Sequence, residues 1–354
     1  MTSSSFLASP SDGKEILRIL ESSAAKGSIE LIYTRRPDAY ASYEKEVGEA
    51  RVFLSKKGEM AVGTCAELVR QVYIGGKPAV SAYLTGLKKD ASYTGSLGFG
   101  ARFIRDLWRE DIDSYFCSVV AENTAARDMF EKGKRGITMS PLVGYTTYIL
   151  SPKVKIKAPK HPYAFRRATQ SDLPALLGFL KAEGSKKDLF PVIEDLQQCH
   201  GLCISDFYLL LEGERILAAA ALWNQSSYKQ YVVKKYRGIM KLARLCNPLL
   251  SLLGYIKLPK ENIPLSFPML SFFLSLGDDQ TFYRIFLAEI KKEIQKTYGM
   301  FVIGLPKTHF AHSLFARLPS IHFDTALYAV SFPWSDRPLQ SPDPERVYPE
   351  CALL

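Results

Sequence analysis

Residues Ala79 to Trp108, AVSAYLTGLKKDASYTGSLGFGARFIRDLW, set the reading of the whole chain. An apolar strand leads into a loop of small residues, and an amphipathic helix follows. Within the loop, Gly95-Ser96-Leu97-Gly98-Phe99-Gly100 has the spacing GxxGxG. Glycines there let the backbone turn tightly and approach a ligand. The free N–H groups of the helix start at Ala101 can then hold a phosphate oxygen. The loop alone fits a plain tight turn equally well.

The next segment narrows the choice. Asp113 to Ala121 (DSYFCSVVA) is an apolar run of strand length, and Glu122 to Gly133 (ENTAARDMFEKG) follows it. Asn123 is a good N-cap, Ala126 and Phe130 recur at helical spacing, and Gly133 can end the helix. The order is strand, glycine loop, helix, strand, then Asn-x-x-Ala-Arg-x-x-aromatic. It resembles the core of the GNAT superfamily, the Gcn5-related N-acetyltransferases. The resemblance implies that Thr94 to Ala101 cradle the pyrophosphate of acetyl-CoA or another acyl-CoA. It also implies that Asn123, Ala126, Arg127 and Phe130 lie along the pantetheine arm, and that a backbone N–H near Leu87 or Lys88 serves the thioester carbonyl.

Composition agrees with a globular protein of two units. The chain has 354 residues, a net charge of +10 and 47% hydrophobic residues, which suits two domains with real cores. No segment has the length and apolarity of a membrane span, and the N-terminus lacks the pattern of a secretory signal. The six cysteines are scattered, and Cys199-x-x-x-Cys203 has no second pair to complete a zinc site. Reduced thiols in a cytoplasmic protein are the expectation. The basic excess suits anionic CoA, but lacks the dense patch expected for nucleic acid.

The pattern of elements occurs twice. A helix over 14–25 and a first strand at Ile29–Thr34 precede strands at Ala50–Ser55, Met60–Ala66 and Val69–Ile74. Thr138–Leu150 closes the first unit. Residues 151–162 (SPKVKIKAPKHP) form a basic, proline-punctuated linker. Beyond it come a strand at Tyr163–Ala168, a helix opened by Gln170-Ser171-Asp172-Leu173-Pro174, and a hairpin at Phe207–Trp223. Lys229–Lys234 falls where a central strand belongs, followed by a helix at Asp279–Tyr298 and strands at Met300–Leu305 and Thr325–Phe332. The expected fold is therefore α/β, with a mixed sheet and two tandem GNAT-like acyltransferase folds: residues 1–150, the linker, residues 163–335, and a tail over 336–354. The second copy lacks the glycine loop. Its segment RGIMKLARLCNPLLSLLGYIKLP, from Arg237, is apolar and helical and would crowd a pyrophosphate.

The reaction implied by the resemblance needs an acceptor amine without its proton, a stabilised oxyanion and a protonated leaving thiolate. In many family members a tyrosine in the Asn-led helix gives that proton, and here the position is Phe130, which has no hydroxyl. Tyr93 and Tyr145 are candidate replacement acids, with Glu67 and Asp90 as candidate bases. Arg35 to Tyr40 and Tyr43 fall where an amine acceptor would be bordered, with Arg36, Asp38 and Tyr40 as candidate contacts. The acceptor is a small-molecule or peptide amine, because acceptor loops vary freely on a shared scaffold. Two other readings fit the same pattern: a non-catalytic acyl-CoA-binding or interaction protein, and a Fem-like or long-chain acyltransferase. His309-x-x-His312 lacks accompanying carboxylates, so no metal is expected. Cys351-Ala-Leu-Leu354 matches a prenylation pattern, but the residues before it are not polybasic.

Overall fold

The computed structural model describes residues 4–25, 27–95, 97, 101–124, 127–128, 137–252, 255–332, 334–335 and 337–354. The first half runs β1 (Ser4–Leu7), α1 (Gly13–Glu21), β2 (Ile29–Thr34), α2 (Ala39–Tyr43), β3 (Glu49–Lys57), β4 (Met60–Ile74), β5 (Lys77–Lys89), α3 (Ala101–Leu107), β6 (Ser114–Val120) and β7 (Thr138–Leu150). The second runs β8 (Ala164–Arg167), α4 (Leu173–Gly184), β9 (Phe207–Glu212), β10 (Arg215–Trp223), β11 (Gln230–Tyr236), α5 (Ile239–Leu245), α6 (Asn247–Leu252), β12 (Met269–Ser275), α7 (Gln280–Thr297), β13 (Phe301–Pro306), α8 (His312–Phe315) and β14 (Ser320–Ser331).

Twelve of these strands form one mixed sheet in the order β1-β3-β4-β5-β6-β14-β7-β13-β12-β10-β9-β8. The order is a palindrome of the two halves. Each contributes three antiparallel strands and then a parallel pair, β5 with β6 and β12 with β13. The closing strands are exchanged: β14 pairs with β6 of the first half, and β7 pairs with β13 of the second. The two halves therefore share one continuous sheet.

Helix amphipathicity explains how the faces are covered. Ile16, Ile19 and Leu20 turn one stripe of α1 inward, where it joins Leu54, Ala66, Leu68 and Tyr83 in a common core. On the opposite face Phe103, Ile104 and Leu107 of α3 pack with Phe53, Cys65, Tyr115 and Cys117. Alternation along β4 sends neighbouring side chains to these two cores. In the second half Tyr283, Leu287, Ile290 and Ile294 of α7 bury the corresponding stripe.

Several expectations are corrected. Met60–Ala66 and Val69–Ile74 are one strand, and α1 ends at Glu21. The segment Lys229–Lys234 is not the central strand of the second half. As β11 it leaves the main sheet and pairs with β2 in a two-stranded ribbon that joins the halves. The central place is taken by β12, MLSFFLS, whose residues are all buried. Continuous apolarity marks a strand covered on both faces, whereas β11 carries exposed Lys234 and Lys235. The final strand begins at Ser320 and lies within the first half's side of the sheet.

Candidate functional site

Two matching irregularities mark the centre of each half. In β5, Gly86 and Leu87 together oppose the single residue Cys65 of β4, because Thr64 pairs with Lys88 and Ala66 with Thr85. Gly86 has φ of +63°, the left-handed value that a bulge of this kind requires and glycine adopts without strain. In β12, Phe272 and Phe273 oppose Ala220 of β10 in the same way, and Phe272 has φ of +53°. A left-handed phenylalanine costs energy, so its surroundings must hold it there.

Next to each bulge the parallel pair separates. Pairing of β5 with β6 spans Ser81–Leu84 and Ser114–Cys117, although both strands run on. Pairing of β12 with β13 is reduced to Met269 and Val302. The second opening is filled by the chain's own residues 348–353. Glu350 accepts from the Phe272 amide at 2.6 Å and from the Ala352 amide at 3.1 Å. The Tyr348 hydroxyl donates to the Phe273 carbonyl at 3.3 Å. An acceptor oxygen therefore sits on the bulge amide of the second half. Burial pushes the Glu350 carboxyl up, against those backbone donors.

At the first opening the groups differ. The Tyr83 hydroxyl on β5 lies 2.5 Å from Ser118 Oγ on β6, one residue beyond the last paired position. Burial holds Tyr83 above the usual phenol value, so it stays protonated. On the same side, a Cβ added at Gly86 would stand 2.8 Å from the Tyr43 hydroxyl, so that hydroxyl covers the bulge. The Arg35 guanidinium stacks 3.7 Å over the Tyr43 ring.

Behind Tyr43 is a buried charged cluster drawn from both halves. Glu46 Oε1 accepts from Arg35 Nη2 at 2.5 Å and from Lys229 Nζ at 3.0 Å. Lys229 also donates to the Ala352 carbonyl at 3.0 Å, and Arg70 Nη2 to the Leu353 carbonyl at 2.7 Å. Burial pushes Glu46 up, but Lys229 and Arg35 together outweigh it and hold the carboxyl below its usual range. Lys229 is pushed down to about 8 by burial, against the attraction of Glu46. One carboxylate lies among three cations: their attraction outweighs burial at Glu46, whereas at Lys229 burial outweighs the attraction of Glu46, with Arg35 and Arg70 adding to the fall. Arg35 Nε, Arg70 Nη1 and Glu46 Oε2 are buried with no hydrogen-bond partner.

The residues singled out from sequence are distributed as follows. Leu87 belongs to the bulge and its side chain is exposed. Lys88 points away from the opening and donates to the carbonyls of Leu20 and Ser23 at the end of α1. Thr94 and Gly95 are exposed, and Leu97 is fastened over β3 and β4, its carbonyl bonded to Ser55 and its side chain against Gly63. Ala101 starts α3. Ser96, Gly98, Phe99, Gly100, Ala126 and Phe130 lie outside the described residues. The Asn123 carbonyl accepts from the Arg127 amide, and Arg127 Nε reaches the Tyr328 hydroxyl at 3.2 Å.

Of the candidate acids, Tyr93 lies against Gly95 in the loop. Tyr145 belongs to the second, filled opening, donating to the Pro349 carbonyl at 3.3 Å, and burial raises it well above the usual phenol value. Of the bases, Glu67 lies on the face under α3, 2.6 Å from Arg51, with burial pushing it up to about 7. Asp90 is held low chiefly by the Ser92 hydroxyl, and also pairs with Arg18. Arg36 pairs with Glu21 at the surface, Asp38 caps α2, and Tyr40 is half-buried on α2. The structure thus gathers Arg35, Tyr43, Glu46, Arg70, Tyr83, Ser118 and Lys229, most of which sequence reasoning did not select. Buried charge in an apolar run was the available signal for Arg70.

Among the described residues no group of three or more His, Cys, Asp or Glu side chains gathers that could hold a metal. His309 instead stacks on Tyr348, and His312 Nε2 lies 3.0 Å from the Tyr148 hydroxyl. All six cysteines are free, and Cys351 opens a turn whose Ala352 and Leu353 are buried.

No protein-family model matches the sequence, and no curated protein matches it. Solved structures do. N-myristoyltransferase of Saccharomyces cerevisiae with bound myristoyl-CoA superposes with a TM-score of 0.58 at 9% identity, over 98% of this chain and 89% of that one. A GCN5-related N-acetyltransferase from Anabaena variabilis gives 0.53 at 9%, over 92% and 72%. A conserved protein of Enterococcus faecalis described as a probable N-acyltransferase gives 0.51 at 9%, over 94% and 73%. The fold of this chain is that of the GNAT-like N-acyltransferases, along nearly its whole length.

Proposed function

We propose that the protein transfers an acyl group from acetyl-CoA or another acyl-CoA to a primary amine at the first opening, between β5 and β6. The observation that carries this reading is the pair of bulges. In the second half the bulge amide of Phe272 holds a carboxylate oxygen of Glu350. The counterpart in the first half is Gly86, and its neighbourhood is the place for a thioester carbonyl oxygen. Backbone donors aimed at a developing oxyanion supply much of the catalysis in acyl transfer.

The other groups have matching roles. The amine nitrogen attacks the carbonyl carbon, the C–S bond breaks, and the thiolate takes up a proton. Tyr83, backed by Ser118, is placed to donate it and stands in for the hydroxyl missing at Phe130. The acceptor enters past Tyr43 toward the cluster of Arg35, Glu46 and Lys229. Burial there disfavours an ammonium, as it disfavours charged Lys229, so the amine is driven to its nucleophilic form. The loop at Thr94–Ala101 takes the CoA phosphates. Residues 1–150 supply the donor site, residues 163–335 wall the acceptor side through β11, and the tail beyond 336 closes the second opening. Six free thiols fit a cytoplasmic protein.

Release of CoA thiol in the presence of an amine panel tests the reading. Turnover that is lost in Gly86→Val, with the fold retained, supports it. Acyl-CoA binding with no turnover for any amine would favour the non-catalytic alternative that Phe130 suggests.

A further inference from the structure

Between residues 234 and 260 the chain carries seven Lys or Arg and no Asp or Glu. The same segment holds the most exposed large apolar side chains of the described residues: Ile239 (76%), Leu242 (64%), Leu245 (77%) and Leu249 (70%). Their spacing places them on one side of α5 and the start of α6. No residue of α5 is buried. Contiguous exposed apolar surface on a folded protein marks an interaction site.

The platform is a built feature. Buried Asn247 donates to the Ile256 carbonyl at 2.8 Å and accepts from the Leu258 amide at 2.9 Å. The Tyr236 hydroxyl donates to the Pro259 carbonyl at 2.9 Å. These bonds fix the base of the segment, and Leu242, Leu245 and Leu249 remain exposed. Arg237 and Arg244 pair with Glu30 and Glu261. Lys234, Lys235, Lys241, Lys257 and Lys260 have no acidic partner among the described residues.

Charge selects the occupant. Two copies of this chain meeting at the platform would oppose like charges, and a nucleic acid would leave the leucines in water. An interface of lipid headgroups over hydrocarbon satisfies both chemistries at once. We propose that Lys234–Leu249, together with Lys257 and Lys260, dock the protein onto the surface of an anionic bilayer. Ile239, Leu242, Leu245 and Leu249 enter the headgroup boundary, and the five lysines meet the phosphates. Among the described residues no helix is long and apolar enough to cross a membrane, and the proposed contact is peripheral. The strand β11 begins one residue after Lys229 of the buried cluster and ends at Tyr236 beside the platform.

This goes beyond acyl transfer and is tested without it. The full chain is sedimented with vesicles of phosphatidylcholine alone, or of phosphatidylcholine mixed with phosphatidylglycerol. Binding is expected to the mixed vesicles alone and to weaken with salt. The double variant Leu242→Asp/Leu245→Asp should lose at least about tenfold in affinity, since two inserted leucines are replaced by charge. Lys234→Gln and Lys235→Gln should each lose roughly fivefold. Thermal unfolding of each variant checks that the fold is unchanged. Failure to bind anionic vesicles, equal binding to both compositions, or undiminished binding by the leucine variant would overturn the proposal. Light scattering that shows a dimer dissociated by the same leucine variant, without vesicle binding, would assign the platform to a second copy instead.

Discussion

The hydroxyl groups of Tyr83 and Ser118 lie 2.5 Å apart across the mouth of the opening between β5 and β6. They come from the two strands that must separate for a ligand to enter, and they sit where pairing stops. If Tyr83 protonates the thiolate, Tyr83→Phe should lower kcat by about 100-fold, within the usual range for a general acid. KM for acyl-CoA should stay within about twofold, because the lost interaction is made only in the transition state. Ser118→Ala should have a smaller effect in the same direction. Steady-state kinetics of both variants separate this from loss of structure.

Gly86 combines a left-handed backbone with a close neighbour. Gly86→Ala should cost about 1–2 kcal/mol from backbone conformation, with added crowding against the Tyr43 hydroxyl 2.8 Å away. Denaturant unfolding reads the stability, and activity should fall by more than stability does. Ala at Gly58, which also has positive φ but meets nothing within 4 Å, is the control for backbone strain alone.

The buried cluster gives an asymmetric prediction. Glu46→Gln leaves Arg35 and Lys229 charged and buried without their carboxylate, which typically costs about 3–5 kcal/mol. Lys229→Met removes one of three crowded cations and should be far less destabilising. Urea titrations of the two variants compare them directly, and equal losses would contradict the charge count given for the cluster.

His309 predicts acid sensitivity. Burial pushes it down to about 3 from an ordinary 6.5, with Lys187 and His312 adding to the effect. Between those values the unfolded chain takes up a proton that the folded chain refuses, so stability falls as pH is lowered through that window. From pH 7 to pH 5 this amounts to about 2 kcal/mol. In His309→Asn that share of the loss should vanish. Guanidinium unfolding at the two pH values measures it.

Much of the fold was legible because its elements follow local rules. The strands at Ala50–Ser55 and Met60–Ala66, the stripe of α7 and the paired hairpin β9–β10 are periodic patterns with turn residues between them. The exchange of β7 and β14 between halves was not legible, since both are ordinary strands and their partners are set by long-range pairing. The site divides in the same way. Leu87 was reached through the resemblance, and the structure adds that Gly86 is the left-handed residue beside it. Glu46 and Lys229 were missed because they are 183 positions apart in the chain and meet only when β11 pairs with β2. Tyr145 was a candidate replacement for the hydroxyl missing at Phe130, and the exchange of closing strands sets it beside Pro349 in the other opening.

The measurement closest to the central claim is calorimetric titration of the protein with acetyl-CoA, a longer acyl-CoA and free CoA. With the opening at Gly86 available and that at Phe272 filled by Glu350, the account predicts one molecule bound per chain. It also predicts that binding is abolished by Gly98→Glu and unchanged by Glu212→Gln at the surface. No binding of any acyl-CoA, or two equivalent sites per chain, would contradict it.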